Sequence, residues 1–363
     1  MIQSISDLWN RNLGRGKFAS TIPPFDGALK PNHALDQAQV ALELEGVDDL
    51  ASDGTDVFVV AGKQVLRLGD NGIAQVVLEV ERLITAIACI AGGFALALEG
   101  ATVRIYGGQY NGRHWSQVAE HPMRAVNALS SDGADIFATD GSAQRSTKDW
   151  RHDLMQHGRS GRVYRLSCDS GQSQTVAGGL QYAYGVASNG ANVLVSESWG
   201  HRLLALRAGN MSPLLDRLPG YPSRMCLAAG GGWWVTLFAA RTQLVEFVLR
   251  EPTFRRRMIE SIHPDLWIAP QLASGKSFHE PLQGGGTKQM GIVKPWAPPR
   301  AYGLILRLDD SGQPLYSLHS RVDGRHHGIV AIVECRGQLF ALSKGAGRVL
   351  KMNVADLVKG VVS

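Results

Sequence analysis

Four side chains able to carry charge or hydrogen bonds stand at equivalent places in four similar segments of the chain. Asp48, Asn127 and Tyr184 each lie six residues before a turn glycine. Arg224 occupies the corresponding place in a fourth segment when the alignment slips by one residue. A carboxylate can act as a general base, and a guanidinium can stabilise a negatively charged oxygen. Together these residues could hydrolyse a carbonyl compound.

The four side chains belong to a repeated unit in which an apolar strand, a small-residue turn and further strands follow one another. The distinct copies cover residues 47–68, 126–166, 184–206 and 329–352, and weaker copies cover 84–106 and 221–249. Repeats of this size, built from short strands, are typical of blades arranged around an axis. The sequence therefore predicts an all-β fold, a six-bladed β-propeller. The second blade offers Ala86 to the central channel, and the last offers Val330 or Ala331.

A single domain is predicted for residues 40–363, with an N-terminal arm at residues 1–39. Apolar and polar residues alternate over residues 38–44, just before the first repeat. We expect this segment to form a strand that closes the last blade, because closure removes sheet edges that would invite aggregation.

An insertion at about residues 250–300 interrupts the fifth blade. Phe254, Met258 and Ile262 have the spacing of one helix face, and a loop-like stretch follows them. Structureless loops of this length are uncommon, so the insertion is interpreted as a functional lid, with a tolerated surface excursion as the alternative.

Composition and charge exclude several classes of protein. The net charge of the 363 residues is +5, but the basic residues are scattered, which argues against a nucleic-acid partner. The four cysteines lack CxxC spacing, which argues against zinc and a disulfide framework and favours free, mostly buried thiols. No apolar leader and no run of ~18 apolar residues is present, so we expect a cytoplasmic protein with no membrane contact.

Several phrases of the chain resemble one family of propellers. They are GRVYRL at 161–166, ESWGHRLLAL at 197–206, LPGYPSR at 218–224, GGGWWVTL at 230–237, YGLILRLDDSGQPLYSLH at 302–319 and VECRGQLFAL at 333–342. In order and spacing they resemble the strictosidine synthase-like family, within the group of senescence-marker-protein and gluconolactonase six-bladed propellers. The resemblance implies the fold. It leaves the activity open, since the group includes lactonases, arylesterases, phosphotriesterases and an alkaloid-forming condensing enzyme.

In the hydrolases of that group the same ring of residues holds a divalent cation, usually calcium. This chain keeps Asp48 and Asn127, but Tyr184 and Arg224 stand where the resemblance implies oxygen ligands. An arginine facing a calcium ion would add several kcal/mol of repulsion. We therefore expect no metal and no other cofactor, with calcium disfavoured.

The alkaloid-forming branch uses a glutamate in the last blade, just ahead of a Glu-x-x-Gly phrase. The phrase is present here from Glu334 to Gly337, but Ile329 and Val330 precede it and cannot transfer protons. His326 and His327 are the nearest titratable residues, either as acid or base or as exposed loop residues.

Three functions remain open. The first is a hydrolase of a small-molecule ester or lactone, in which Arg224 stabilises the oxyanion and Asp48 or a histidine is the general base. Substrate would be oriented by Asn127, Tyr184 and Ser223, with His152 reaching in from an excursion in the third blade. The second is a metal-free condensing enzyme or lyase with a relocated acid or base, and the third is a propeller that only binds a small molecule. Nothing in the sequence predicts the oligomeric state.

Overall fold

The computed structural model describes residues 22–357 apart from 70–71, 191, 208, 276–278, 281–287, 290–291 and 294–299. The chain forms six four-stranded antiparallel sheets, in each of which one edge strand is the innermost, and its first strand, β1 (Gln39–Glu43), belongs to the last of them. The first two blades are β2 (Val47–Ser52), β3 (Val57–Ala61), β4 (Gln64–Leu68) and β5 (Ala74–Glu79), then β6 (Ile84–Ile90), β7 (Gly93–Leu98), β8 (Thr102–Gly107) and β9 (His114–Trp115). A short hairpin, β10 (Gln117–Val118) and β11 (His121–Pro122), follows them.

The other four blades have the same order. Blades three and four are β12 (Val126–Ser131), β13 (Asp135–Asp140), β14 (Gly161–Ser167) and β15 (Ser173–Leu180), then β16 (Ala183–Ser188), β17 (Val193–Glu197), β18 (Arg202–Arg207) and β19 (Asn210–Leu215). Blade five is β20 (Gly220–Leu227), β21 (Trp233–Ala240), β24 (Gly303–Leu308) and β25 (Pro314–Ser320). Between its second and third strands the chain forms a small separate hairpin, β22 (Lys288–Gln289) and β23 (Ile292–Val293). Blade six is β26 (Ile329–Cys335), β27 (Gln338–Ser343) and β28 (Arg348–Asn353), completed by β1. The predicted six-bladed propeller is confirmed.

Closure of the ring joins the two ends of the domain. Strand β1 pairs antiparallel with β28, from Gln39 opposite Lys351 to Glu43 opposite Arg348. The predicted closing strand at residues 38–44 is therefore confirmed. Residues 22–38 run against blade five, where the Asn32 side chain donates to the Ser317 carbonyl at 2.8 Å. Residues 1–21 of the predicted arm lie outside the described residues.

Three helices leave the blades on the side where the innermost strands begin. Helix α1 (Trp150–Met155) follows β13, and α2 (Gln243–Arg250) and α3 (Pro252–Ser261) follow β21. The predicted apolar face of the insertion is wrong: Met258 is buried, but Phe254 is 48% and Ile262 44% exposed. The helix ends at Ser261, and its inward side carries Met258 and the partly buried Ile259 instead. Much of the insertion beyond residue 275 lies outside the described residues.

The cysteines and the helices test two further expectations. All four cysteines are free, and burial raises the pKa of Cys89 and of Cys226 to about 12, so these two thiols are unreactive at neutral pH. Among the described residues, no helix combines the length and the apolar character that a bilayer crossing requires.

Candidate functional site

A β-bulge recurs near the start of the innermost strand of every blade. The pairing of β2 with β3 skips Asp48, that of β6 with β7 skips Thr85, and that of β12 with β13 skips Asn127. The same irregularity falls at residues 184–185, 223–224 and 330 in the other three blades. A bulged residue is released from the ladder, so its carbonyl and side chain can turn toward the channel. The bulges therefore build the ring, with Thr85 rather than the expected Ala86 in blade two.

Above this ring lies a cavity of about 610 Å³. Its lining comes from strand starts in blades one to five and from loops at the same end of the propeller. The lining residues are Gly46, Val47, Asp48, Gly62, Leu83, Ile84, Thr85, Glu99, Asn127, Ser146, Thr147, Lys148, Trp150, Tyr182, Tyr184, Trp199, Arg224, Phe238, Leu272 and Lys344. The cavity is large enough for a ligand of drug size, since ligand sites are typically clefts of about 300–1,000 Å³.

The guanidinium of Arg224 forms the floor of this cavity. Its Nε donates to the carbonyl of Asn127 at 2.8 Å, one terminal nitrogen to the carbonyl of Asp48 at 2.8 Å, and the other to the carbonyl of Thr85 at 2.7 Å. These are bulged residues of blades three, one and two, while Arg224 itself belongs to blade five. The residue is only 6% exposed. One side chain thus joins four blades at the axis.

Asp49 lies beneath this guanidinium. Its Oδ1 is 3.1 Å from the Nε of Arg224, and its carboxylate also accepts hydrogen bonds from the backbone N–H groups of Leu50 and Ile87 at 2.8 and 3.0 Å. Burial raises the pKa of Asp49 to about 6, although Arg224 and the two N–H groups act to lower it. Asp49 and Arg224 both line a second cavity of about 210 Å³ farther down the channel, so the guanidinium lies between the two spaces.

Asp48 faces the upper cavity and pairs with a cation that the sequence did not reveal. The Nζ of Lys344 lies 2.7 Å from its Oδ1, and a terminal nitrogen of Arg224 lies 3.8 Å from the same oxygen. The side chains of Asp48 and Lys344 are 28% and 33% exposed. Lys344 directly follows β27, the second strand of blade six, and so does not lie at the start of an innermost strand. The one available signal was its position in a turn at the channel end of the last repeat.

One wall of the upper cavity is aromatic. Tyr182 stacks on Trp199 with ring centroids 4.4 Å apart, and Phe238 lies 5.5 Å from Trp150 and 6.0 Å from Tyr184. The Tyr184 ring also lies 5.5 Å from the Arg224 guanidinium carbon, at cation–π distance. The wall therefore offers flat apolar surfaces to a ligand, directly above a charged floor.

Helix α1 holds part of this wall in place. The buried carboxylate of Asp153 accepts a hydrogen bond from the Trp199 indole at 2.8 Å, and Trp150 of the same helix lines the cavity. Arg151 is bonded to Asp265 at 2.8 Å and to Gln271 at 3.0 Å, both in the insertion of blade five. The two excursions thus cover one side of the cavity together.

The structure brings Asp48, Asn127, Tyr184 and Arg224 to one cavity, as the alignment of the blades predicts. The amide of Asn127 is engaged with blade four, since its Nδ2 donates to the Ala183 carbonyl at 3.1 Å. The cavity lining does not include the other four residues proposed from the sequence, Ser223, His152, His326 and His327.

The side chains of Ser223, His152 and His327 have structural partners elsewhere, whereas His326 is held through its backbone and its buried Nδ1 has no hydrogen bond within the described residues. The fully buried Ser223 hydroxyl lies 2.7 Å from that of Thr236, because the bulge at 223–224 turns Arg224, not Ser223, into the channel. His152 packs edge-on against Trp267 at 4.7 Å. The Nε2 of His327 lies 2.7 Å from the carbonyl of Arg321, and the backbone N–H of His326 donates to Ser320 Oγ at 3.0 Å. Burial lowers the pKa of both of these histidines.

The ring does not fit the calcium ion that the sequence resemblance implies. Calcium needs six to eight oxygen ligands. Three carbonyls and the carboxylates of Asp48 and Asp49 already contact the Arg224 guanidinium at 2.7–3.8 Å. The side-chain oxygen of Asn127 lies 3.5 Å from the Tyr182 hydroxyl and adds only one further candidate ligand. In the described part of the chain no three His, Cys, Asp or Glu side chains are grouped to hold a metal.

Sequence comparison finds relatives but no matching family model. The chain is 22% identical to the adipocyte plasma membrane-associated protein of Salmo salar over 214 residues, which cover 56% of this chain and 44% of the relative. It is 25% identical to the protein of that name from Bos taurus over 338 residues, or 82% of this chain and 74% of the relative. The matches with the first two relatives, from Salmo salar and Danio rerio, span less than half of each relative's length.

Solved structures share the fold at low sequence identity. A gluconolactonase from Xanthomonas campestris matches with a TM-score of 0.54 at 14% identity, covering 88% of this chain and 90% of that one. Regucalcin, a calcium-binding protein from Agrobacterium tumefaciens, matches with a TM-score of 0.51 at 8% identity, covering 87% of this chain and 92% of that one. A luciferin-regenerating enzyme matches with a TM-score of 0.50 at 13% identity, covering 87% of this chain and 92% of that one. The chain is a six-bladed propeller of the kind found in gluconolactonases and regucalcin.

Proposed function

We propose that this propeller hydrolyses an ester or lactone of a small molecule in its upper cavity. The observation that carries the proposal is the Asp48–Lys344 pair, 2.7 Å apart at the base of an apolar-walled cavity and partly open to it. The gluconolactonase named above shares the fold and supports the same class of reaction. The narrower resemblance to strictosidine synthase-like proteins is compatible with this proposal.

The chemistry follows from the donors and acceptors at the cavity. Asp48 would take a proton from a water molecule as that water attacks the substrate carbonyl carbon. The carbonyl oxygen gains negative charge, which the Lys344 ammonium would stabilise by hydrogen bonding. The carbon–oxygen bond to the leaving group then breaks, and the proton held by Asp48 passes to the departing alkoxide. Water is consumed, and an acid and an alcohol group are formed.

Arg224 has a different role in this proposal from the oxyanion donor expected from the sequence. Each of its three nitrogens already donates to a backbone carbonyl. The guanidinium therefore acts as a fixed positive charge beneath Asp48 and positions it. The Tyr184 hydroxyl, which has no hydrogen bond within the described residues, is available to orient the substrate.

A second candidate function is binding without catalysis. The specific observation in its favour is that Asp48 and Lys344 already neutralise each other at 2.7 Å. The condensing or lyase function has no such support, because the histidines proposed as its acid or base are absent from the cavity lining.

Hydrolysis assays on a panel of aryl acetates, γ- and δ-lactones and gluconolactone test the proposal. We expect the unmodified protein to turn over at least one of these compounds, and Asp48→Asn to lower kcat/KM by about 10²-fold or more, the usual contribution of a general base. Glu43→Gln is the matched control, because Glu43 also pairs with a cation, Arg348 at 3.0 Å, but lies outside the cavity lining.

Three outcomes are distinguishable in this assay. Loss of turnover in Asp48→Asn alone, with an unchanged Tm, supports the hydrolase. Equal turnover by Asp48→Asn and the unmodified protein contradicts the role of Asp48. No turnover of any compound by the unmodified protein, combined with measurable binding of the same compounds, favours the binding function instead.

A further inference from the structure

We infer that Arg224 is a built-in cation of the channel, a side chain that fills an oxygen-lined site of the kind that otherwise takes a metal ion. The inference concerns the assembly of the propeller and does not depend on the proposed hydrolase activity. It rests on the contacts of the guanidinium, its burial and the origin of the oxygens around it.

Five oxygens surround the guanidinium. Three are carbonyl oxygens at 2.7–2.8 Å, from Asp48, Thr85 and Asn127. The other two are carboxylate oxygens, from Asp49 at 3.1 Å and Asp48 at 3.8 Å. Carbonyl and carboxylate oxygens are also the ligands that hard cations prefer. The donor set is therefore that of a cation site.

The oxygens are directed to one point by the fold itself. Asp48, Thr85 and Asn127 are the bulged residues of three different blades, so their carbonyls are not used in the strand ladders. Without a cation, these partial and full negative charges would repel one another in a site with little water. A positive charge at the axis is thus required to hold the three strand starts together.

Arg224 reaches this point from a blade on the other side of the axis. Strand β20 carries it, and the flanking Ser223 and Thr236 are fully buried. The guanidinium remains charged at any pH at which the protein folds, so the site keeps its cation permanently. The propeller should therefore be indifferent to divalent cations.

Removing the side chain tests the inference, because it should leave a site into which a free guanidinium ion fits. Arg224→Ala is expected to lower Tm by about 4–7 °C, as removal of one partner of a buried charge pair does in a protein of this size. Guanidinium chloride at low millimolar concentration should then raise the Tm of this variant in a saturating manner, since a ligand of the native state stabilises it. Sodium chloride at equal ionic strength should have no such effect.

Arg241→Ala is the matched control. Arg241 is also a largely enclosed arginine, with a side chain that is 12% exposed and a carboxylate partner, Glu246 at 3.0 Å. Its other side-chain contact, with the carbonyl of Leu218 ahead of β20, is likewise away from the ring. We expect this variant to lose stability without any rescue by guanidinium. The unmodified protein should show the same Tm in calcium chloride and in EDTA.

Two further variants keep the test decisive should Arg224→Ala fail to fold. Arg224→Lys retains a positive charge, and Arg224→Met retains a similar volume without charge. The Tm of the lysine variant should therefore be clearly higher than that of the methionine variant. Equal Tm values for Lys and Met, a Tm of Arg224→Ala that does not respond to guanidinium, or a calcium-dependent rise in the unmodified protein would each overturn the inference.

Discussion

The Arg224 floor of the upper cavity and the Asp48–Lys344 pair above it hold their charges in different ways. At the floor, Arg224 is bonded to backbone carbonyls of three blades and is 6% exposed. Above it, Asp48 and Lys344 are bonded to each other by side chains that are about a third exposed. Backbone carbonyls cannot leave a guanidinium unless the sheets move, whereas a side-chain pair can exchange its partner for a ligand. This difference suits the floor to assembly and, under the proposed function, the Asp48–Lys344 pair to chemistry.

The largest effect on activity is expected at the Asp48–Lys344 pair. Lys344→Met should lower kcat/KM by about 10²-fold, the cost of losing one preorganised oxyanion donor, while Tm changes by no more than about 2 °C because an exposed ion pair contributes little to stability. Steady-state kinetics and a melting curve on the same preparation measure both quantities.

Lys351→Met is the matched control for that variant. Lys351 lies over the ring of Phe340 at 5.7 Å and does not line the upper cavity. The control should retain full turnover. A Lys344→Met protein that hydrolyses substrate normally but melts several degrees lower would contradict the catalytic role of Lys344 and assign it to assembly.

A smaller effect, on stability alone, is expected from the carboxyl group below the floor. The pKa of Asp49 is raised by burial to about 6 in the folded chain, from 3.8 as the ordinary value. A group whose pKa rises on folding stabilises the folded chain fully at pH values below its pKa in the unfolded chain. That stabilisation is lost as the pH rises through its pKa in the folded chain. The whole loss amounts to roughly 3 kcal/mol, at about 1.4 kcal/mol per pKa unit, and most of it falls between pH 4 and pH 7.

Asp49→Asn removes this titration. The free energy of unfolding of the variant, relative to that of the unmodified protein, should therefore rise as pH increases from 4 to 7. Urea denaturation of both proteins at several pH values measures the difference. A difference that is constant with pH, or one that falls, would show that Asp49 is ionised throughout and that Arg224 dominates its environment.

The smallest effect is expected from the Tyr184 hydroxyl. Tyr184→Phe keeps the ring next to Phe238 and over Arg224 and removes one hydrogen-bonding group, so kcat/KM should fall by about tenfold or less with Tm unchanged. Tyr110→Phe serves as the control, because that hydroxyl bonds to Asp169 away from the cavity. If Tyr184→Phe and Tyr110→Phe have the same kcat/KM, the Tyr184 hydroxyl has no role in catalysis and the residue contributes only packing.

The fold could be predicted because its signals are local. Each hairpin is marked by turn glycines, such as Gly54, Gly133 and Gly190, which adopt positive φ angles as tight turns require. The same spacing places Asp48, Asn127 and Tyr184 in one ring. The prediction of Ala86 instead of Thr85 was wrong by one residue, because the hairpin of blade two differs from the others. Two residues separate Ile90 from its partner Gly93, whereas four separate Ser52 from Val57 in blade one, so the bulged residue lies seven and not six residues before the turn glycine.

The rest of the site could not be predicted because it depends on the paths of loops. Lys344 enters the cavity from a turn, and Trp150 enters from helix α1. His326 and His327 stand close to the innermost strand β26 in sequence, yet their connection is anchored to Ser320 and Arg321 at the end of β25. Proximity in sequence to a strand start does not determine the direction in which a loop residue points.

The central claim is that Asp48 and Lys344 act as one catalytic unit above a structural floor. The kcat/KM of the double variant Asp48→Asn, Lys344→Met tests it most directly, because residues that act as a unit give non-additive losses. We expect the double variant to be no slower than the slower of the two single variants. A double variant whose loss equals the product of the two single losses would contradict the claim.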